Sequence, residues 1–335
     1  MNKNQILLAH GDGGRLSRNL IEEIFAKAFA NPELSPLADS ALLSLSKKKI
    51  AFTTDSYTVK PIFFPESDIG RLAVYGTVND LAVMGARPIY LSCGFILEEG
   101  LEIEVLKRIV DSMKSASELV GVKLVTGDTK VVEKGSADKI FINTSGIGEL
   151  LEWRSMKKPL KPGDEILVSG TIGEHGIAVL SARGELELKI PVQSDCAPVW
   201  ELVSMLYQEK VEVKWMRDPT RGGVATCLNE LVLGQKFGVM IAESKIPVLD
   251  SVDSACEILG LDPLYLANEG KMVCVVKKGE AERAREIMRK SQIGKNAVII
   301  GEVISEPAGK VLVSTKIGGT RILGMLAGAP LPRIC

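Results

Sequence analysis

A polar connector with two prolines, Met156-Lys157-Lys158-Pro159-Leu160-Lys161-Pro162-Gly163, divides this chain near its middle. Prolines this close together fix φ and remove backbone donors, so neither a helix nor a central strand runs through them. The 335 residues exceed what one ordinary core organises, and the connector is the expected boundary between two domains.

Strand and helix patterns alternate on both sides of it. Before the connector, helices are expected over 17–29, 71–85 and 102–120, and strands over 50–54, 88–97, 123–126 and 139–145. After it, strands fit 165–169, 238–242, 271–276 and 298–303. Helices fit 197–209, the segment following Arg221-Gly222-Gly223, and 281–290. The expected fold class is α/β with mixed sheets. The expected parts are a leading segment 1–45, a first domain 46–155, a second 156–310 and a tail 311–335. No Walker A sequence and no GxGxxG opens a helix, which argues against P-loop and dinucleotide folds.

Composition narrows the function classes. A net charge of −1 without a basic run argues against nucleic acid as a partner. The N-terminus lacks the apolar run of a signal peptide and no stretch suits a bilayer, so the cytoplasm is the expected compartment. Cys93, Cys196, Cys227, Cys256, Cys274 and Cys335 show no metal-ligand spacing, which disfavours zinc. With only His10 and His175 available, acid–base chemistry is expected from carboxylates, lysines or a thiol.

Four acids fall where strands or loops are expected to break: Asp12 in Gly11-Asp12-Gly13-Gly14, Asp55 after Thr54, Asp80 after Asn79, and Asp128 in Gly127-Asp128-Thr129-Lys130. A few carboxylates, waters and phosphate oxygens suit the octahedral demands of Mg²⁺ with a polyphosphate, and a glycine loop can present N–H groups to phosphates. The same acids also serve as ordinary turn residues. Asp80 differs, lying inside an apolar helix pattern where a carboxylate needs a partner or a role. In the second half, Arg217-Asp218-Pro219-Thr220-Arg221-Gly222-Gly223 reads as a phosphate contact or as a capped helix start with an ion pair. Tyr265-Leu266-Ala267-Asn268-Glu269-Gly270-Lys271 is a polar knot, for which a plain turn is the alternative. The chain ends at Cys335 behind Gly328-Ala329-Pro330-Leu331-Pro332-Arg333-Ile334. An arm of this length reaches about 25 Å at most, enough to carry a sulfur between sites.

These segments in this order resemble the PurM-like family of ATP-dependent enzymes, and over essentially the whole chain its hydrogenase-maturation branch. The resemblance rests on LLAHGDGGRL, FTTDSYTV, GTVNDLAVMGARP, LSCGFILEEGL, VTGDTKVV, DKIFINTSGIG, LVSGTIGEHG, RDPTRGGVA, ANEGKMV and PLPRIC. The joint presence of PRIC, ANEGK and GDTKVV is its most specific part. It implies a homodimer that shares a β-barrel of first-domain strands, with ATP near the interface. The implied activity is ATP-dependent dehydration of a carbamoyl group on Cys335 to a thiocyanate, the source of cyanide for the iron of nickel–iron hydrogenase. A HypF-type carbamoyltransferase would load the thiol, and a HypC–HypD complex would receive the cyanide. The resemblance assigns catalysis to Cys335, Glu269 and Lys130, and Mg²⁺ to Asp55, Asp80 and Asp128. It assigns ATP to Gly11, Asp12, Gly13, Gly14, Thr54, Asn79, Asp218 and Arg221, with Asp12 a loop residue rather than a metal ligand. The alternatives are another small-molecule synthetase or kinase of this fold and a non-catalytic, nucleotide-dependent thiol carrier.

Overall fold

The computed structural model describes residues 5–10, 15–34, 41, 43, 45, 49–152, 159–184, 190–326 and 334–335. It divides into one unit of Met1–Leu81, Ala86–Leu151 and Cys335, and another of Ala82–Gly85 with Glu152–Ile334. Gly11, Asp12, Gly13 and Gly14 lie outside the described residues.

In the first unit, α1 (Arg15–Leu20) runs into a π-type turn at Ile21–Ala26, where the pattern predicts one helix over 17–29. Strand β1 (Ile50–Tyr57) and the short hairpin of β2 (Phe63–Phe64) and β3 (Ser67–Asp68) lead into α2 (Ile69–Val83). Asp68 starts that helix by accepting the N–H groups of Gly70 at 2.8 Å and Arg71 at 3.0 Å, which satisfies donors that a helix start leaves open. Then follow β4 (Ala86–Glu98), α3 (Ile103–Val120), β5 (Lys123–Val132) and β6 (Ile140–Leu150). The sheet order is β1-β6-β4-β5, and only β4 and β5 run parallel. In α3, Leu106, Ile109, Val110, Met113 and Ala116 recur at helical spacing and are buried.

Two strands are longer than the sequence pattern predicts, and this moves two candidate acids. β1 pairs with β6 out to Tyr57, and β5 pairs with β4 out to Val132. Asp55 and Asp128 are therefore strand residues rather than residues at strand ends. Pairing with neighbouring strands overrides the turn-like composition of Gly127-Asp128-Thr129-Lys130.

The second unit holds β7 (Glu165–Val168), α4 (Glu174–Ala182), α5 (Trp200–Gln208), β8 (Val213–Arg217), α6 (Gly223–Val232) and β9 (Gly238–Ala242). It continues through α7 (Asp250–Leu259), β10 (Val273–Val276), α8 (Ala281–Met288), β11 (Val298–Ile304), β12 (Val311–Ser314) and β13 (Thr320–Leu323). Its seven strands run in the order β13-β12-β9-β11-β7-β10-β8. β12 and β13, placed with the tail by the sequence reading, belong to this sheet and bury Val311, Val313 and Leu323 in its core. Ile166, Val168, Leu228, Val239, Ile241, Val273 and Val275 join that core. Among the described residues no helix is long and apolar enough to cross a membrane.

Candidate active site

Glu269 sits in the second unit inside a cage that its own segment cannot supply. The Glu269 N–H donates to Asp195 Oδ1 at 3.0 Å, and its carbonyl accepts from the Ala197 N–H at 3.3 Å. Gly270 permits this approach, since a Cβ there would lie 1.8 Å from the Asp195 carbonyl oxygen. Asn268, fully buried, fastens the segment on the other side. Its Oδ1 accepts the Gly173 N–H at 2.7 Å, and its Nδ2 donates to the carbonyls of Pro219 at 3.0 Å and Leu266 at 2.9 Å. One side chain thus ties together the start of α4, the Asp218-Pro219 loop and the knot. The plain-turn alternative does not account for three such anchors.

Lys271 lies between two buried carboxylates, 3.2 Å from Asp195 Oδ2 and 3.4 Å from Glu174 Oε1. Glu174 also accepts from the Thr171 hydroxyl, while its Oε2 is buried without a hydrogen bond. Burial pulls the Lys271 ammonium down, but Asp195 and Glu174 outweigh it and hold the group above the ordinary lysine range. Burial raises the Glu174 carboxyl, opposed by Lys271 and reinforced by the neighbouring Asp195 charge. These charges are tolerable in the interior because they meet one another.

His175 is next to Glu174 and completely buried. Its Nδ1 is 2.9 Å from Ser194 Oγ and its Nε2 is 2.7 Å from the Ile334 carbonyl. Burial depresses its basicity, so the neutral ring is favoured. Ile334 itself is buried.

In the first unit, alternation along β1 places Thr53, Asp55 and Tyr57 on the face that α2 covers. The Thr53 hydroxyl donates to Asp80 Oδ2 at 2.8 Å, and the Tyr57 hydroxyl lies 3.2 Å from Thr77 Oγ1. Asp55 and Asp80 are therefore on one side of the sheet, with Asn79 buried beside Asp80. Thr54 faces the other way, accepting from Ser145 Oγ at 2.9 Å. Asp128 and Lys130, 3.6 Å apart, also face away, because Gly127, not Asp128, is in register with Cys93 and through it with Thr144 and Asp55. β1 and β5 are moreover opposite edges of the sheet, so Asp55 and Asp128 are separated by about 14 Å of strand spacing. The three proposed metal ligands are not brought together within one chain. No group of three or more His, Cys, Asp or Glu able to hold a metal occurs among the described residues.

A cavity of about 300 Å³ opens in the same unit, lined by Arg18, Phe25, Phe29, Glu33, Asp128 and Lys130 among others. His10, the residue before the glycine loop, is also in its wall. Its size is at the lower end for a small-molecule site. In the second unit, Asp218 is buried and Arg221 is exposed just before α6.

The thiols sort by burial. Desolvation pushes Cys274 up to about 12 and Cys256 up to about 11, and raises Cys93 and Cys227 further still. Such thiols are poor nucleophiles. Cys196 and Cys335 are only half-buried, and the Cys335 carbonyl accepts from the Thr58 N–H at 3.3 Å in the first unit. Sequence reasoning selected Glu269 but missed Glu174, Ser194 and Asp195 as its surroundings and assigned no role to His175 or Lys271. The available signal was a Glu-His pair opening the apolar run Ile177-Ala178-Val179-Leu180.

The chain is similar to known proteins over nearly its whole length. Models of the AIR synthase related protein match residues 37–150 with its N-terminal domain and 161–314 with its C-terminal domain. A carbamoyl dehydratase HypE of Rhodobacter capsulatus is 46% identical over 334 residues, covering 99% of this chain and 98% of the relative. The solved structure of hydrogenase maturation protein HypE in complex with ATP aligns with a TM-score of 0.93 at 49% identity, covering 98% of this chain and 99% of that one. A chain from a HypE–HypF complex aligns with a TM-score of 0.78 at 51% identity, over 92% of this chain and 99% of that one.

Proposed function

This chain belongs to the HypE family of carbamoyl dehydratases, and from that premise we propose that it converts a carbamoyl group on Cys335 into a thiocyanate at the expense of ATP. One observation carries the reading to these residues. Ile334, the chain neighbour of Cys335, is buried in the unit that holds Glu269 rigid among Asp195, Ala197 and Asn268.

The chemistry needs an activated oxygen and a base. The thiocarboxamide oxygen attacks the γ-phosphorus of ATP and ADP leaves, so a poor leaving group becomes phosphate. The nitrogen gives up one of its two protons as this O-phosphoryl imidate forms, and loss of the remaining N–H proton and of phosphate then gives the S–C≡N group. Glu269 takes that proton, the role a fixed carboxylate can perform. Lys130 offers a point charge to the oxygen or the phosphate. Mg²⁺, when bound with ATP, neutralises charge on the transferring phosphoryl group. It commonly needs only one or two carboxylates besides phosphates and water, and Asp55 and Asp80, sharing one side of the sheet, fit that requirement. Asp128 instead stands with Lys130 at the cavity. The first-unit cavity with His10 in its wall suits the nucleotide, and Thr54 and Asn79 of the same unit are further candidate contacts; Asp218 and Arg221 remain candidate phosphate contacts of the second unit.

The cyanide product is destined for hydrogenase iron. The HypE–HypF complex among the relatives supports a HypF-type carbamoyltransferase as the loading partner. A HypC–HypD complex is the proposed acceptor, and the cytoplasm the proposed compartment. A homodimer is supported by the uncovered face of the first sheet, where Phe52 is 67% exposed and Ile50 and Ile96 are also open. A second copy would close these four strands into a barrel.

Intact mass spectrometry tests the reading. After incubation with carbamoyl phosphate, ATP, Mg²⁺ and the loading partner, the tail peptide should first gain a carbamoyl group and then lose one water. Cys335→Ala should stay folded and carry neither adduct. A normal yield of adduct on that variant would refute the assignment.

A further inference from the structure

We propose that His175 is a positioning residue for the cysteine-bearing tail, its Nε2–H holding the Ile334 carbonyl in the docked state from which dehydration proceeds. The inference rests on the activity proposed above and assigns to it a residue outside the reacting groups.

A carbonyl oxygen only accepts, so the 2.7 Å contact with Ile334 requires the proton on Nε2. In the neutral ring Nδ1 is then an acceptor and needs a donor. Ser194 Oγ, 2.9 Å away, is that donor. The serine oxygen also accepts the Cys196 N–H at 3.2 Å, so its own proton is free to point at the ring. The chain Cys196 N–H to Ser194, Ser194 O–H to His175, His175 Nε2–H to Ile334 runs in one direction. It fixes the tautomer before the tail arrives.

Position gives the bond its consequence. His175 is wholly buried and Ile334 nearly so, so the bond between them is shielded from water while the tail is docked. Its loss adds to the cost of undocking beyond the loss of apolar contact. Cys335 is the next residue, and fixing the Ile334 carbonyl restricts where the thiol can lie. Glu174 and Asp195, the sequence neighbours of His175 and Ser194, are the groups that hold Lys271. The ring that reads the tail and the cage that holds Glu269 are thus built from the same two short segments.

The test uses the full chain and its loading partner. Docking is read directly by carboxypeptidase Y, which releases Cys335 and Ile334 only from an undocked tail. Loss of one buried hydrogen bond should shift that population about five- to tenfold. His175→Ala should therefore be trimmed about five- to tenfold faster than the parent, with unchanged circular dichroism. In single-turnover assays on pre-carbamoylated chain, thiocyanate formation should fall by a similar factor while carbamoyl loading is retained. His175→Gln, whose amide can donate to the same carbonyl, should recover most of both effects. Ser194→Ala, which keeps the ring but frees its tautomer, should trim about two- to threefold faster; it decides the matter should the alanine variant not fold. Trimming at the parent rate in His175→Ala or Ser194→Ala, or equal loss in the Gln and Ala variants, would overturn the proposal. Absence of thiocyanate in the parent chain would instead sink the dehydratase reading and leave the trimming result standing.

Discussion

Replacing Lys271 by Met removes the cation that pairs with two buried carboxylates, Glu174 and Asp195. The lysine and glutamate side chains are 10% and 8% exposed, and that of Asp195 is 2% exposed. At contact distances of 3.2 and 3.4 Å, each pairing supplies about 5 kcal/mol of gross attraction at an effective dielectric of about 20. The desolvation of three ions offsets much of that. Removing one member of such a buried group typically costs about 3–5 kcal/mol. With a denaturant slope of about 2 kcal/mol per molar for a domain of this size, the urea midpoint of the second unit should fall by about 2 M.

The loss should also depend on pH, and the sign is fixed. Glu174 already has a folded-state pKa raised above its ordinary 4.5 by burial, with Lys271 opposing the rise. In Lys271→Met that opposition is gone and the folded value climbs further. A carboxyl raised in the folded state contributes stability that is complete below its unfolded value and is lost as pH rises through the folded one. The deficit of the variant should therefore be larger at about pH 8 than at about pH 5.5, by about 1 kcal/mol or more. Urea titrations of parent and variant at both pH values measure it. A deficit under about 1 kcal/mol, or one of equal size at the two pH values, would refute the argument that the ammonium is what makes these carboxylates tolerable.

Three further outcomes are expected. Glu269→Gln should still bind ATP and accept the carbamoyl group, but dehydrate about a hundredfold or more slowly, so that the carbamoylated tail accumulates; parental thiocyanate rates would leave Glu269 as a turn residue. Asp80→Asn should weaken Mg²⁺-dependent ATP affinity with little change in urea midpoint, because the asparagine oxygen can still accept the Thr53 hydroxyl proton; calorimetric titration with and without Mg²⁺ reads this, and equal affinities would make the acid structural. His175, whose basicity is depressed by burial below its ordinary 6.5, should contribute stability that is present above that value and lost as pH falls below it; the stability difference between parent and His175→Gln should shrink on acidification, and a difference that is constant from about pH 8 to about pH 5.5 would count against a buried neutral ring.

What the sequence made legible follows from which interactions are local. The apolar stripe of α3 and the β10 run Val273-Cys274-Val275-Val276 announce themselves because burial repeats at the period of the element. β5 did not, because Gly127-Asp128-Thr129-Lys130 carries turn residues into a strand that only its parallel partner β4 can hold straight. The consequence reached the site: a carboxylate in a loop can turn toward any neighbour, whereas one in a strand is committed to a face. That commitment separates Asp128 from Asp55 and leaves Asp55 with Asp80.

The knot around Glu269 shows the same limit more sharply. Its residues were visible as an oddity between apolar segments, yet the groups that give them a function come from elsewhere in the chain. Asp195 is 74 residues from Glu269, and Gly173 is 95 residues from Asn268. No local pattern encodes such pairs, and Asp195 looks like any surface acid until its partner is known. What could have been read is the cost: Glu174 and His175 stand one glycine before four apolar residues in α4, a place where charge is expensive unless something answers it. Lys271 answers the glutamate and the Ile334 carbonyl answers the histidine. The second of these answers comes from a segment that the proposed reaction requires to leave and return, so this bond to the buried ring exists only in the state where Ile334 is in place.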